Sequence, residues 1–93
     1  MERKKLVILG GGESGTGAAI LGKQKGYDVF LSDQGTLKET YRIELEKHEI
    51  SFESGSHDEQ RILLADEVIK SPGIPDSAPL IQQLVAQIGR AHV

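Results

Sequence analysis

Short apolar runs alternate with amphipathic segments along the chain, and this pattern predicts strands that alternate with helices. The first run, 6–9, is apolar at every position, as in strands that are buried on both faces of a parallel sheet. Further strands are predicted at 28–32, 50–52 and 66–70, and helices at 14–25, 36–48, 58–64 and 78–87. This order is typical of an α/β, Rossmann-like fold, in which helices flank a parallel sheet with right-handed crossovers.

Ligands of such sheets bind beside the carboxyl ends of the strands. Three segments follow strands in this chain: a glycine turn at 10–15, Asp33, and a loop that begins Ser71-Pro72-Gly73. They are far apart in sequence, but the topology is expected to bring them to one edge of the sheet. We therefore expect the functional site at that edge.

The glycine turn matches the pattern G-x-G-x-x-G, with Gly10, Gly12 and Gly15 at the fixed positions. In such turns the first glycine allows a sharp turn, the second leaves room for a diphosphate, and the third lets the helix pack closely. The start of the helix offers free N–H groups and a partial positive charge to an anion. The alternative is a turn kept only for packing. The turn lacks the lysine of an ATPase P-loop, so any ATP site would lie elsewhere.

Asp33 follows the second strand about 20 residues after the glycine turn, where dinucleotide-binding folds place an acid for the ribose. It could instead accept a hydrogen bond from a base N–H, or be an ordinary turn or capping aspartate. The loop at 71–73 combines a stiff proline with a glycine that permits close approach, which suits the wall of a nucleotide pocket. A simple connection between a strand and a helix would have the same sequence features.

Composition excludes several classes of function. The 93 residues suffice for one small domain, and the absence of cysteine excludes disulfides and thiolate zinc sites. The net charge is −3 and the basic residues are scattered, so we expect no nucleic-acid partner. The first apolar run is too short for a signal peptide or a membrane span, and we expect a cytoplasmic protein without a membrane partner. His48, His57 and His92 share no metal-ligand spacing and are interpreted as surface histidines.

Segments 6–15, 31–33 and 65–75 resemble the first domain of the Mur ligases, and the resemblance extends over about residues 4–87. The strand followed by Ser-Pro-Gly-Ile is the more specific part of this resemblance, because dinucleotide dehydrogenases share the glycine turn but do not typically have that loop. Within the family the sequence is most similar to members that add D-glutamate to a UDP-linked muramoyl substrate. The resemblance implies an ATP-dependent amide-bond ligase of peptidoglycan synthesis, with roles in cell wall biogenesis, cell shape and cell division.

The first domain of this family holds the UDP portion of the sugar substrate. The resemblance implies that N–H groups around 13–15 contact the diphosphate, that Asp33 lies near the uracil, and that 71–73 border the nucleoside. Gln34 and Gly35 stand where the family often has polar or basic residues, which leaves the uracil contacts there open. The candidate substrate-binding residues are Gly10, Gly12, Glu13, Ser14, Gly15, Asp33, Ser71, Pro72 and Gly73.

The catalytic groups of the family, with its ATP loop and metal ligands, belong to a central domain whose sequence is absent here. We therefore expect ATP and Mg²⁺ to bind outside this chain, no catalytic residue within it, and an inactive, monomeric fragment. Residues 1–87 are interpreted as a UDP-binding domain truncated at the C-terminus, and 88–93 as an artificial tail, with a genuine tail as the alternative. The alternative function is an NAD-binding module of an oxidoreductase or a regulatory protein, because the glycine turn and Asp33 suit it equally well.

Overall fold

The computed structural model describes residues 3–88. Within this range four strands alternate with four helices. The strands are β1 (Lys5–Leu9), β2 (Asp28–Asp33), β3 (Ser51–Ser54) and β4 (Glu67–Lys70); the helices are α1 (Glu13–Gln24), α2 (Glu39–Lys47), α3 (Glu59–Leu63) and α4 (Pro79–Ile88). The predicted α/β alternation is confirmed.

The four strands are all parallel and lie in the order β3-β2-β1-β4. β1 occupies an interior position because its residues 6–9 are apolar and buried on both faces of the sheet. At its end, Leu9 pairs with Ser32 on one side and with Lys70 on the other. The segments that follow these three strands therefore meet at one edge of the sheet, as expected.

Helices cover both faces of the sheet, so that two separate apolar clusters form. On one face, α3 and α4 cover side chains of alternate strand positions, among them Val7, Phe30 and Val68. On the other face, α1 and α2 cover the side chains of the remaining positions, such as Ile8 and Leu31. The two-residue period of the strands explains why neighbouring apolar residues belong to different clusters.

The start of α2 differs from the prediction. The helix begins at Glu39 after the N-cap residue Lys38, which has an extended backbone with φ −62° and ψ 142°, so Thr36 is not its cap. The reason lies in Leu37, which is only 8% exposed and packs within the cluster on this face. Because Leu37 is buried, the chain stays close to the sheet through this residue, and the helix begins later than the capping pattern indicates.

The strands also differ in their boundaries: β1 begins one residue earlier than predicted, at Lys5, and β2 ends one residue later, at Asp33. β3 runs from Ser51 to Ser54 rather than over 50–52, because its pairing with β2 continues as far as Asp33. β4 begins at Glu67, and Asp66 precedes it as a side-chain acceptor for the N–H of Lys5, at 2.7 Å.

The last helix extends to Ile88, so the first residue of the proposed artificial tail belongs to α4. The remainder of that tail, 89–93, including His92, lies outside the described residues, and its origin stays a prediction. Within residues 3–88, none of the helices combines the length and the apolar character needed to cross a membrane.

Candidate functional site

Gly10 turns the chain out of β1. Its φ of +109° is a conformation that glycine adopts readily and other residues rarely adopt. A Cβ atom added here would lie 2.8 Å from Cβ of Ser71, so there is also no space for a side chain. Its N–H donates to the carbonyl of Ser32 at 2.9 Å, which ties the turn to the neighbouring strand.

The other two glycines of the pattern have different surroundings. A Cβ atom on Gly15 would collide with the carbonyl oxygen of Gly10, so this glycine lets α1 approach the end of β1 closely. Gly12 is exposed, and a Cβ atom there would meet no atom within 4 Å. The close packing predicted at Gly15 and the open space predicted at Gly12 are both present.

The sequence pattern assigns no role to Gly11, yet it is the most enclosed glycine after Gly15. A Cβ atom on it would collide with Cδ1 of Leu37 and would lie 3.0 Å from Oδ2 of Asp33. The Gly11 N–H donates to that same Oδ2 at 2.7 Å, and the N–H of Gly35 donates to Oδ1 at 2.9 Å. Both carboxylate oxygens of Asp33 therefore bind backbone amides, and Asp33 acts as a positioning residue for the glycine turn.

The first turn of α1 has no side-chain cap, because its N-cap residue is Gly12. The first hydrogen bond of the helix runs from the N–H of Thr16 to the carbonyl of Gly12 at 2.9 Å. The N–H groups of residues 13–15 therefore lack intrahelical acceptors, at the positive end of the helix dipole. Thr16 is buried and its hydroxyl donates weakly to the carbonyl of Gly11 at 3.4 Å, which is a second support of the turn that the sequence pattern does not reveal.

The loop after β4 begins as a continuation of the sheet. The Ser71 N–H donates to the carbonyl of Leu9 at 2.8 Å, and the Ile74 N–H donates to the carbonyl of Ser71 at 3.0 Å. The Gly73 N–H donates to the Ser71 hydroxyl oxygen at 3.3 Å. These bonds close 71–74 into a compact turn beside the glycine turn.

The buried side chain of Lys70 stabilises this loop. The side chain is only 5% exposed, and Nζ donates to the carbonyl of Ile74 at 3.0 Å. Nζ also lies 3.0 Å from Oδ1 of Asp76, whose own side chain is 85% exposed. The buried lysine thus connects the end of β4 with the far side of the loop.

A cavity of about 500 Å³ lies between the glycine turn and the loop after β4. The candidate residues that line it are Gly10, Gly12, Glu13, Ser14, Gly15, Ser71 and Pro72. Gly73 instead lines a second cavity of about 380 Å³, together with Gln34 and His57. Asp33 lines neither of these two cavities, and its carboxylate bonds to the glycine turn. The roles of these residues in substrate binding stay predictions.

The lining of the first cavity contains one acidic residue, the exposed Glu13, so attraction for an anion must come from other groups. Lys70 is the one cationic residue in its lining, and its ammonium group is already bonded to Ile74 and Asp76. An anion in this cavity would therefore rely on the N–H groups at the start of α1. Among residues 3–88, no group of three or more His, Cys, Asp or Glu side chains is placed to hold a metal ion.

His57 is not the surface histidine that the sequence suggests. It is half-buried, and its Nδ1 lies 2.6 Å from the hydroxyl oxygen of Ser32, a residue with no exposed surface. The same hydroxyl donates to Oε2 of Glu53 at 2.8 Å. Glu53 and His57 lie 21 and 25 positions after Ser32, so sequence spacing gives no signal that links them to this hydroxyl group.

Comparison with known proteins gives a consistent result. The model of the MurD N-terminal domain family matches residues 5–79. A UDP-N-acetylmuramoylalanine--D-glutamate ligase from Bacteroides thetaiotaomicron is 57% identical over 84 residues, which are 90% of this chain and 19% of that protein. The enzyme of the same name from Christiangramia forsetii is 59% identical over 81 residues, which are 87% of this chain and 18% of that protein. The chain thus spans about a fifth of the length of these curated relatives.

Solved structures agree on the fold. A pseudomurein peptide ligase type C from Methanothermus fervidus superposes with a TM-score of 0.79 at 25% identity, over 98% of this chain and 19% of that one. A UDP-N-acetylmuramate:L-alanyl-gamma-D-glutamyl-meso-diaminopimelate ligase from Neisseria meningitides superposes with a TM-score of 0.73 at 19% identity, over 99% of this chain and 28% of that one, which bears on the fold alone. These relatives give no support to the NAD-binding alternative. The chain belongs to the MurD N-terminal domain family.

Proposed function

We propose that this chain holds the UDP portion of UDP-N-acetylmuramoyl-L-alanine for an ATP-dependent ligase that adds D-glutamate to it in peptidoglycan synthesis. The proposal is supported by the names of the relatives at more than half identity. The observation that carries it is the cavity beside the glycine turn, where the uncapped start of α1 meets open space at Gly12.

The diphosphate binds in that cavity through the N–H groups of Glu13, Ser14 and Gly15. No side chain at Gly12 obstructs its approach. Ser71 and Pro72 form the opposite wall. Helix-start amides suit a diphosphate because they supply hydrogen bonds and partial positive charge without the desolvation cost of a lysine ammonium group.

On this proposal the chain binds substrate, and the catalytic steps take place in other parts of the ligase. ATP and Mg²⁺ act in parts of the ligase outside this chain, where the carboxylate of the muramoyl substrate is activated. This chain alone binds nucleotide without turnover, as a cytoplasmic monomer. Its contribution to the reaction is to fix the UDP portion, so that the distant carboxylate of the L-alanyl residue is presented in a defined place.

A calorimetric titration of the chain with UDP and with NAD tests this proposal. UDP should bind saturably, with low affinity because much of the substrate finds no partner in one domain. NAD should neither bind tightly nor displace UDP. Tight NAD binding without any response to UDP would overturn the proposal and favour the oxidoreductase alternative.

A further inference from the structure

The second cavity adjoins the first, and Leu9 lines both of them. Its volume is about 380 Å³ and its walls are largely apolar, with Ile74 and Pro75 on one side. Gln34 and His57 are polar groups in the same lining. An apolar slot with a few polar groups suits a nucleoside, which has flat apolar faces and polar edges. A nucleotide whose diphosphate lies on α1 can extend past Leu9 into this slot.

The hydrogen bonds around Ser32 determine where the protons of His57 lie. Glu53, as a carboxylate, can only accept, so the single Ser32 hydroxyl proton points to its Oε2 at 2.8 Å. The Ser32 oxygen then has only lone pairs for His57 Nδ1 at 2.6 Å, and Nδ1 must carry a proton to donate to it. The Asp58 N–H adds a 2.6 Å bond to the same Oε2, which keeps Glu53 in place.

A neutral imidazole with a proton on Nδ1 has a free lone pair on Nε2. Among residues 3–88, that nitrogen forms no hydrogen bond, since the bond of the imidazole to Ser32 is through Nδ1. His57 lines the second cavity, and its Nδ1 side is occupied by Ser32, so Nε2 is the nitrogen available to a ligand. A fixed acceptor in a half-buried slot is suited to a ligand that brings a hydrogen-bond donor.

We propose that His57 Nε2 accepts a hydrogen bond from a donor of the bound uridine, either the imide N–H of the base or a ribose hydroxyl. Ser32 and Glu53 act through the ring as positioning residues that select its tautomer. The assignment rests on the proposed function, since it presumes that UDP occupies the two cavities. Asp33 is less suited to this role, because both of its oxygens already bind backbone amides of the turn.

Titration of His57→Leu with UDP, 3-methyl-UDP, 2′-deoxy-UDP and 3′-deoxy-UDP tests the assignment. The variant should bind UDP about fivefold more weakly than the parent, as expected for one lost hydrogen bond. The parent should bind one analogue more weakly than UDP, namely the analogue that lacks the donor to His57, and the variant should not discriminate against that analogue. The identity of that analogue shows whether the donor is the base imide or a ribose hydroxyl. His48→Leu is the matched control, because His48 is also half-buried but bonds through Nδ1 to the carbonyl of Glu44, outside the cavity. It should bind all four ligands like the parent.

Two results separate this inference from the proposed function. A parent that does not bind UDP overturns both, whereas a His57→Leu variant that keeps the parent's UDP affinity and all analogue penalties overturns only the role of His57. Nitrogen-15 spectra of the parent imidazole give a test that needs no variant: Nδ1 should be protonated and Nε2 bare. Glu53→Gln should shift the ring toward the Nε2–H tautomer and weaken UDP binding. A parent ring with its proton on Nε2, or a tautomer unchanged in Glu53→Gln, would contradict the positioning role.

Discussion

The N–H of Gly11 donates a 2.7 Å hydrogen bond to Oδ2 of Asp33, and this bond joins the turn after β1 to the end of β2. The packing around Gly11 is tight, with Leu31 and Leu37 against the position that a Cβ atom would occupy. The glycine turn is therefore held in one conformation by the protein itself. A binding loop that is ordered before its ligand arrives loses less conformational entropy on binding.

Replacement of Asp33 tests this relationship. Asp33→Ala leaves the part-buried N–H of Gly11 without its acceptor and should lower the free energy of unfolding by about 1–3 kcal/mol. Urea denaturation followed by circular dichroism measures the change. Asp28→Ala is the control, since Asp28 is an exposed carboxylate at the other end of the same strand, and it should stay within about 0.5 kcal/mol of the parent. Equal stability of the two variants would contradict the supporting role of Asp33.

Two glycines of α1 provide a contrast in close packing. Gly15→Ala places a methyl group against the carbonyl of Gly10, so the helix must move and the chain should lose about 1–3 kcal/mol of stability. Gly17→Ala adds the same methyl group in open space within the helix and should raise stability by about 0.5–1 kcal/mol. Thermal unfolding of both variants gives the comparison. If both shift the melting temperature in the same direction, α1 does not pack on the turn as described.

Gly12 distinguishes binding from packing. Gly12→Val adds a branched side chain where no protein atom lies within 4 Å, so the fold should be retained, with a loss of about 1 kcal/mol for a poor N-cap residue. The same side chain occupies the approach of the diphosphate, so UDP binding should be lost. Gly12→Ala is the milder companion and should weaken binding by less. Parent-like UDP affinity in Gly12→Val would show that the turn serves only packing.

The contributions of the buried Lys70 and of its exposed partner Asp76 to the order of the loop at 71–76 can be measured separately. Lys70→Met leaves the carbonyl of Ile74 without a donor and should accelerate hydrogen exchange in residues 71–76. Asp76→Asn removes only the exposed member of the ion pair, which should change stability by at most about 1 kcal/mol. The reverse order, with a large effect of Asp76→Asn and none of Lys70→Met, would contradict the support of the loop by Lys70.

Local pattern was sufficient to predict the strands, the parallel sheet and the edge at which its loops meet. The apolar run at 6–9 and the glycine spacing are local signals, and both correspond to features of the structure. Boundaries were less predictable where tertiary burial competes with local preference. Leu37 is the example, since its burial delays α2 beyond the capping residue Thr36.

Side-chain hydrogen bonds between strand ends could not be predicted from spacing. Asp33 accepts a hydrogen bond from Gly11, 22 residues away, which no short motif indicates, and its expected place near the uracil stays a prediction. His57 was interpreted as a surface residue because nothing in its neighbourhood indicates its bond to Ser32. Both relationships depend on the register of parallel strands, which brings together residues that no short motif connects.

The central claim is that the start of α1 binds the diphosphate of UDP, and amide chemical shifts measured during a UDP titration test it most directly. The account predicts that the largest changes occur at the N–H groups of Glu13, Ser14 and Gly15, with smaller changes at Ser71. It also predicts that Gly12→Val abolishes them. A third cavity, of about 180 Å³, lies at the amino ends of the strands, where Lys5 and Asp28 help to line it. Changes confined to that cavity would contradict the account, as would a complete absence of response at saturating UDP.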